Sequence, residues 1–137
     1  ELNSLVKKYN LEKNVIMLGF RRDALSILQA SDISIQASIH FEALCGSLIE
    51  SMQLGTLTIG AKNGGMVEVI EHMVDGLQFS PSNHEELATL IEQALNDQLP
   101  VPVEQIVSAG VKNATSKWDI DRIGDQLANA YNLVLDT

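Results

Sequence analysis

Disulfide chemistry is excluded at once: Cys45 is the one cysteine in 137 residues, so no internal bridge can form. A lone thiol fits a reducing compartment. Without staples the chain must rely on an apolar core. Its length and 45% hydrophobic content allow one, which argues against a disordered or fibrous class. Positive charge is scarce, with nine Lys and Arg against eighteen Asp and Glu and a net charge of −9. That deficit argues against a broad nucleic-acid or anionic-membrane surface. A single phosphate group stays possible, because backbone N–H groups can hold one locally. No uninterrupted apolar run is long enough to span a bilayer, and no secretory leader opens the chain. No His/Cys/Asp cluster has metal-ligand spacing. Repeats, low-complexity stretches and domain-scale linkers are missing too, so residues 1–137 read as one domain. Glu1 is not a start residue, as expected of an excised or processed piece.

The pattern that is present alternates helices with short strands. Leu2, Leu5, Val6 and Tyr9 predict a helix over 1–10. Residues 15–18 predict a strand ending at Gly19, 23–30 a short helix, and 33–36 a second strand. Helical periodicity runs over 44–54 and stops at Gly55, a suitable C-cap residue. A third strand is expected at 57–60, then the breaker pair Gly64–Gly65 and a short helix through Glu71. Asp75–Gly76 marks a turn before a fourth strand at 77–80. Asn83 with Glu86 forms a capping-box signal for a helix whose buried stripe is Leu87, Leu90, Ile91, Ala94 and Leu95. Residues 99–102 connect to two last helices, 103–115 and 119–135, expected to pack on or across the domain. Trp118 is expected to pack the last helix against it. This alternation is the mark of βαβ crossovers, giving an α/β, Rossmann-like parallel sheet with helices on both faces.

Ligands of such folds sit where strands end and loops enter helices. Three loops qualify, at 19–22, 37–46 and 61–65, and the second is the longest and most polar. It leads into Glu42-Ala-Leu-Cys-Gly-Ser-Leu-Ile-Glu50. By spacing alone, Glu42 could be merely an acid near a helix start and Glu50 a solvated helix residue. Position adds a second reading. N–H groups at Cys45, Gly46 and Ser47 would face anything bound there, and a helix start with small Gly46 suits a diphosphate. Eight residues of helix span ~12 Å, about the separation of sugar and ribose in a nucleotide-sugar. Glu50 could then accept from ribose hydroxyls and Glu42 from the sugar.

Here the sequence resembles the C-terminal, donor-binding half of GT-B glycosyltransferases of family 4. The resemblance is carried by Asn14-Val-Ile-Met-Leu-Gly-Phe20, Ala30-Ser-Asp-Ile-Ser-Ile35, residues 42–52, Gly64-Gly65-Met-Val-Glu68-Val-Ile70 and Asp75-Gly-Leu77. Their order and spacing agree with the family over roughly two-thirds of the chain. It implies a retaining transferase that moves a sugar from a UDP-, GDP- or ADP-sugar to an acceptor, with no cofactor and no metal. The family's paired glutamates fall on Glu42, beside the sugar as the catalytic candidate, and Glu50, at the ribose. Ser38, His40 and the backbone of Leu44, Cys45, Gly46 and Ser47 would line the sugar and diphosphate, and Gly64 and Gly65 the next loop. Gly19, Phe20 and Arg21 would lie near the base. The family often has glycine where this chain has Ala43 and Cys45, and proline at Ala37, which bears on which sugar fits. Its domain opens with a strand and a diphosphate-clamping Arg and Lys, and this chain starts after that point. An acceptor-binding N-terminal domain, in the same or a separate chain, is the implied partner, and the fragment alone is expected to be inactive. The family's work on polysaccharide or glycolipid implies a cytoplasmic position, at or near the membrane's inner face. The alternative is a stand-alone nucleotide-sugar-binding subunit or sensor.

The remaining candidates have plainer readings. Cys45 lacks a histidine partner placed by sequence, so a small helix-start residue is favoured over a nucleophile. His40 could touch the sugar or simply be solvated. Arg21 and Arg22 could meet phosphate or water. Glu68 supports its loop or faces water, His72 and His84 read as turn and cap residues, and Met52, Met66 and Met73 as core filler.

Overall fold

The computed structural model describes residues 2–135. Three parallel strands form one sheet in the order β1 (Ile33–Gln36), β2 (Leu57–Ala61), β3 (Leu77–Phe79). Ile33 sits beside Leu57 and Ile59 beside Leu77. Parallel neighbours need crossovers. These are α3 (Gly46–Gln53) between β1 and β2, and α4 (Met66–Val69) between β2 and β3. Before them lie α1 (Leu2–Lys8) and α2 (Ala24–Gln29). After them come α5 (His84–Leu95), α6 (Val103–Lys117) and α7 (Ile120–Leu135). The expected α/β architecture, a Rossmann-like parallel sheet flanked by helices, is the one observed.

The core sits around β2, whose five residues are all buried. Leu48, Ile49 and Met52 of α3, Met66 and Val69 of α4, Leu77 and Phe79 of β3, and Ile106 and Ala114 of α6 join it. Each fully buried Leu or Ile contributes about 1.5–3 kcal/mol. Gly60 leaves room for Leu48 and Ile70, since a Cβ there would lie 3.0 and 3.2 Å from their side chains. Leu90 and Ala94 bury the stripe of α5, while Leu95, at the stripe's edge, is 63% exposed. Among the described residues no helix is long and apolar enough to cross a membrane.

The predicted end of α3 and start of α5 follow from their caps, while α3 begins at Gly46, two residues later than the periodicity predicts. α3 ends in a Schellman motif. Gly55 (φ +78°) donates to Met52 and Thr56 donates to Ser51, closing the free carbonyls. Asn83 Oδ1 accepts the Glu86 N–H at 3.1 Å, and the Glu86 carboxylate takes the Ser80 N–H at 2.8 Å.

One predicted element is absent. Residues 15–18 form no strand, and Val15, Ile16, Met17 and Leu18 are all exposed. A strand exists only through a neighbour's N–H and C=O groups. Among the described residues β1 pairs with β2 alone, and nothing presents a ladder to 15–18. The last helices behave differently from each other. α6 buries Ile106, Gly110 and Ala114, and its Gly110 lies so close to the Asp75 carbonyl that a Cβ would stand 2.7 Å from that oxygen. α7 has no buried residue. Trp118 is half-buried against the core, with the Lys117 ammonium 5.2 Å over its ring.

Candidate functional site

The connections leaving β1 and β2 at their C-terminal ends meet. Residues 37–45 run from β1 to α3, and residues 62–65 from β2 to α4. Asn63 Nδ2 donates to the His40 carbonyl at 2.7 Å and lies 3.5 Å from that of Ser38. The Gly65 N–H donates to the Glu42 carbonyl at 2.7 Å. The glycine pair is required by this approach. Gly64 has φ +52°, and a Cβ there would stand 2.2 Å from the Glu42 oxygen. A Cβ at Gly65 would stand 2.0 Å from the Ala43 oxygen. Only a backbone without side chains can pack so tightly.

α3 presents the other half. Buried Cys45 caps its start, with Sγ 3.4 Å from Ser47 Oγ and its carbonyl accepting from Leu48 and Ile49. The N–H groups of Gly46 and Ser47 find no protein acceptor among the described residues, and both residues are exposed. They form the positive end of the helix dipole. Glu50 is exposed and follows Gly46 by four residues, which puts the two on one helical face. The helix cannot roll to change that. Leu48, Ile49 and Met52 are in the core, and buried Ser51 donates to the Ser47 carbonyl and lies 2.8 Å from Ser34 Oγ on β1. Glu42 is half-buried in the preceding loop. No protein donor takes the Glu42 or Glu50 carboxylate among the described residues. Two acceptors at the ends and N–H donors between them suit a polyhydroxylated, anionic ligand.

The structure thus brings Ser38, His40, Glu42, Leu44, Cys45, Gly46, Ser47, Gly64 and Gly65 together, with Glu50 one turn along. Ser38 Oγ donates weakly to the His40 carbonyl at 3.4 Å, and Leu44 is 53% exposed. Gly19, Phe20 and Arg21 lie in the exposed stretch before α2 and make no hydrogen bond to this loop. Phe20 is 91% exposed. Arg21 forms a two-point pair with Asp23 at 2.8 and 2.5 Å, which raises the guanidinium pKa and lowers that of the carboxyl. Asn63 was not foreseen, because a loop amide beside a glycine pair carries no spacing signal. A cavity of about 630 Å³ lies elsewhere, between the α4–β3 connection and the end of α6. Glu68, His72, Asp75, Gln78, Asn113 and Trp118 border it, and neither Glu42 nor Glu50 does. Asp75 there is structural, accepting from the Glu71 N–H and from Asn113.

Residues 1–112 match the family model of glycosyl transferases group 1. An uncharacterized glycosyltransferase of Methanocaldococcus jannaschii is 27% identical over 137 residues, covering 98% of this chain and 34% of the relative. A sucrose synthase of Thermosynechococcus vestitus is 29% identical over 131 residues, covering 88% of this chain and 16% of the enzyme. The chain therefore spans about a third or less of the length of these relatives. Among solved structures, Anabaena HepE in complex with UDP superposes with TM-score 0.91 at 29% identity, over 96% of this chain and 35% of that one. The HepE complex with UDP-glucose gives 0.89 at 29% identity, with the same coverage. The C-terminal domain of a group 1 glycosyl transferase from Francisella tularensis gives 0.72 at 26% identity, over 87% and 61% of the two chains.

Proposed function

The chain belongs to the glycosyl transferases group 1, and from that membership we propose that it is the donor-binding half of a retaining, GT-B, family 4 transferase. One observation carries the reading: among the described residues, Glu42 and Glu50 leave free carboxylates at either end of an α3 start whose Gly46 and Ser47 N–H groups have no protein acceptor. The donor is a nucleoside-diphosphate sugar. The HepE complexes with UDP and UDP-glucose support a UDP-sugar as the first to try.

In the reaction the bond from the anomeric carbon to the diphosphate breaks, and the acceptor hydroxyl forms a new bond on the same face. The leaving diphosphate carries the electron pair away and takes up the proton that the acceptor hydroxyl loses. The α3 N–H groups stabilise that charge where it develops. Glu50 holds the ribose, and Glu42 orients the sugar and faces the positive charge building at the anomeric carbon. Acceptor binding falls to a second, N-terminal domain, and no metal or cofactor enters the scheme. Assembly of polysaccharide or glycolipid in the cytoplasm, at the membrane's inner face, is the role this implies.

Calorimetry of UDP-, GDP- and ADP-sugars with the intact protein and with Glu50→Ala tests this. Loss of a charge-assisted ribose contact should weaken the preferred nucleotide about tenfold or more. Unchanged affinity would remove the ribose assignment, and no binding of any nucleotide would remove the donor site.

A further inference from the structure

We propose that the two halves of this site are held by separate supports, and that Asn63 is the positioning residue of the sugar half. The inference rests on the donor-site reading above and adds to it a residue that touches no substrate. The nucleotide half is built on α3, fixed by Leu48, Ile49 and Met52 in the core and by the Ser51–Ser34 contact. The sugar half is different. In the loop that carries Glu42, Ile39, His40, Phe41, Ala43 and Leu44 are all exposed. Its hold comes from the facing loop: Asn63 Nδ2 on the His40 carbonyl, and the Gly65 N–H on the Glu42 carbonyl.

Asn63 is itself anchored at the end of β2. Its N–H donates to Ala61 at 2.7 Å, and its carbonyl accepts from Met66 at 3.2 Å. The amide therefore reaches across from a fixed point to residues 38–40, two to four positions before Glu42. A donor is what this place requires. Aspartate has the same shape but would set a carboxylate against carbonyl lone pairs. Removing the donor frees residues 38–40, and with them the setting of the Glu42 carboxylate, while α3 keeps its place. Misplacement of a catalytic group by about 1 Å can cost about a hundredfold in rate.

The test measures UDP and UDP-glucose binding, with kcat and KM for sugar transfer, on the intact protein carrying Asn63→Asp or Asn63→Ala. The Ala variant decides the matter if the misplaced charge of Asp disturbs folding. UDP affinity should stay within about twofold of the parent, while kcat falls about tenfold and the extra affinity from glucose is lost. Equal weakening of UDP and UDP-glucose, or an Asn63→Asp protein with full turnover, would overturn the proposal. Failure of the donor-site reading itself is separate, because it shows as a parent protein that binds neither UDP nor UDP-glucose.

Discussion

At the scale of single residues, Gly65 shows how a side chain that is missing can hold a site together. The space its Cβ would need is taken by the Ala43 carbonyl, 2.0 Å away, so Gly65→Ala must push the two loops apart. We expect about 1–3 kcal/mol of destabilisation, as for other overpacked positions. A lower thermal midpoint together with weaker UDP-glucose binding would show it, and an unaltered protein would mean that the loops can part freely. His72 gives a pH dependence. Burial, and then the charge of Lys62, lower its pKa below the usual 6.5, and its Nδ1 accepts the Gln78 N–H at 2.8 Å. The folded state thus prefers the neutral ring, and the unfolded state takes the proton first. Stability should decline as pH falls through 6.5, and this contribution levels off below the folded value. Thermal unfolding of the parent and of His72→Gln at about pH 8 to 5 tests it, since the substitution should flatten the slope across the histidine range.

At the scale of elements, α3 does two jobs with one sequence. Its inward face supplies Leu48, Ile49 and Met52, and its outward face supplies Gly46 and Glu50. Leu48 is 1% exposed, so Leu48→Ala should cost about 2–5 kcal/mol. Denaturant unfolding measures this, and a cost near zero would show that the core collapses around the gap. α7 is the contrasting case. Its amphipathic pattern is strong, yet it buries nothing. Removal of residues 120–135 should leave the thermal midpoint of the rest within about 2 °C, and a larger drop would reveal support from α7. Caps set the ends of α3 and α5, and residues 55, 83 and 86 announce them. Residues 15–18 have the apolar composition of a strand but no partner ladder, and composition alone cannot supply hydrogen bonds.

At the scale of the whole molecule, the acidic balance and the third of a relative's length have one consequence. With a net charge of −9, the chain offers a nucleotide diphosphate no general attraction, so the binding proposed above needs local donors such as the N–H groups at the start of α3. Assayed alone, the chain is expected to bind UDP-glucose weakly and to transfer no sugar, and the whole transferase proposed above is expected to bind it more tightly and to transfer its glucose. Transfer by the isolated 137 residues would assign the acceptor site to this domain as well.

The alternation of helices and strands, the caps, the glycine pair and the eight-residue spacing of Glu42 and Glu50 were legible in the chain, because each follows from local periodicity or turn chemistry. The resemblance of five ordered segments to a transferase family was legible as well. Tertiary structure alone decided the rest. It set the pairing order of the strands and left residues 15–18 outside the sheet. It exposed the apolar stripe of α7 and brought Asn63 to the carbonyls of residues 38 and 40. These depend on contacts between segments some twenty or more residues apart, and a one-dimensional pattern carries no record of which backbone groups will meet.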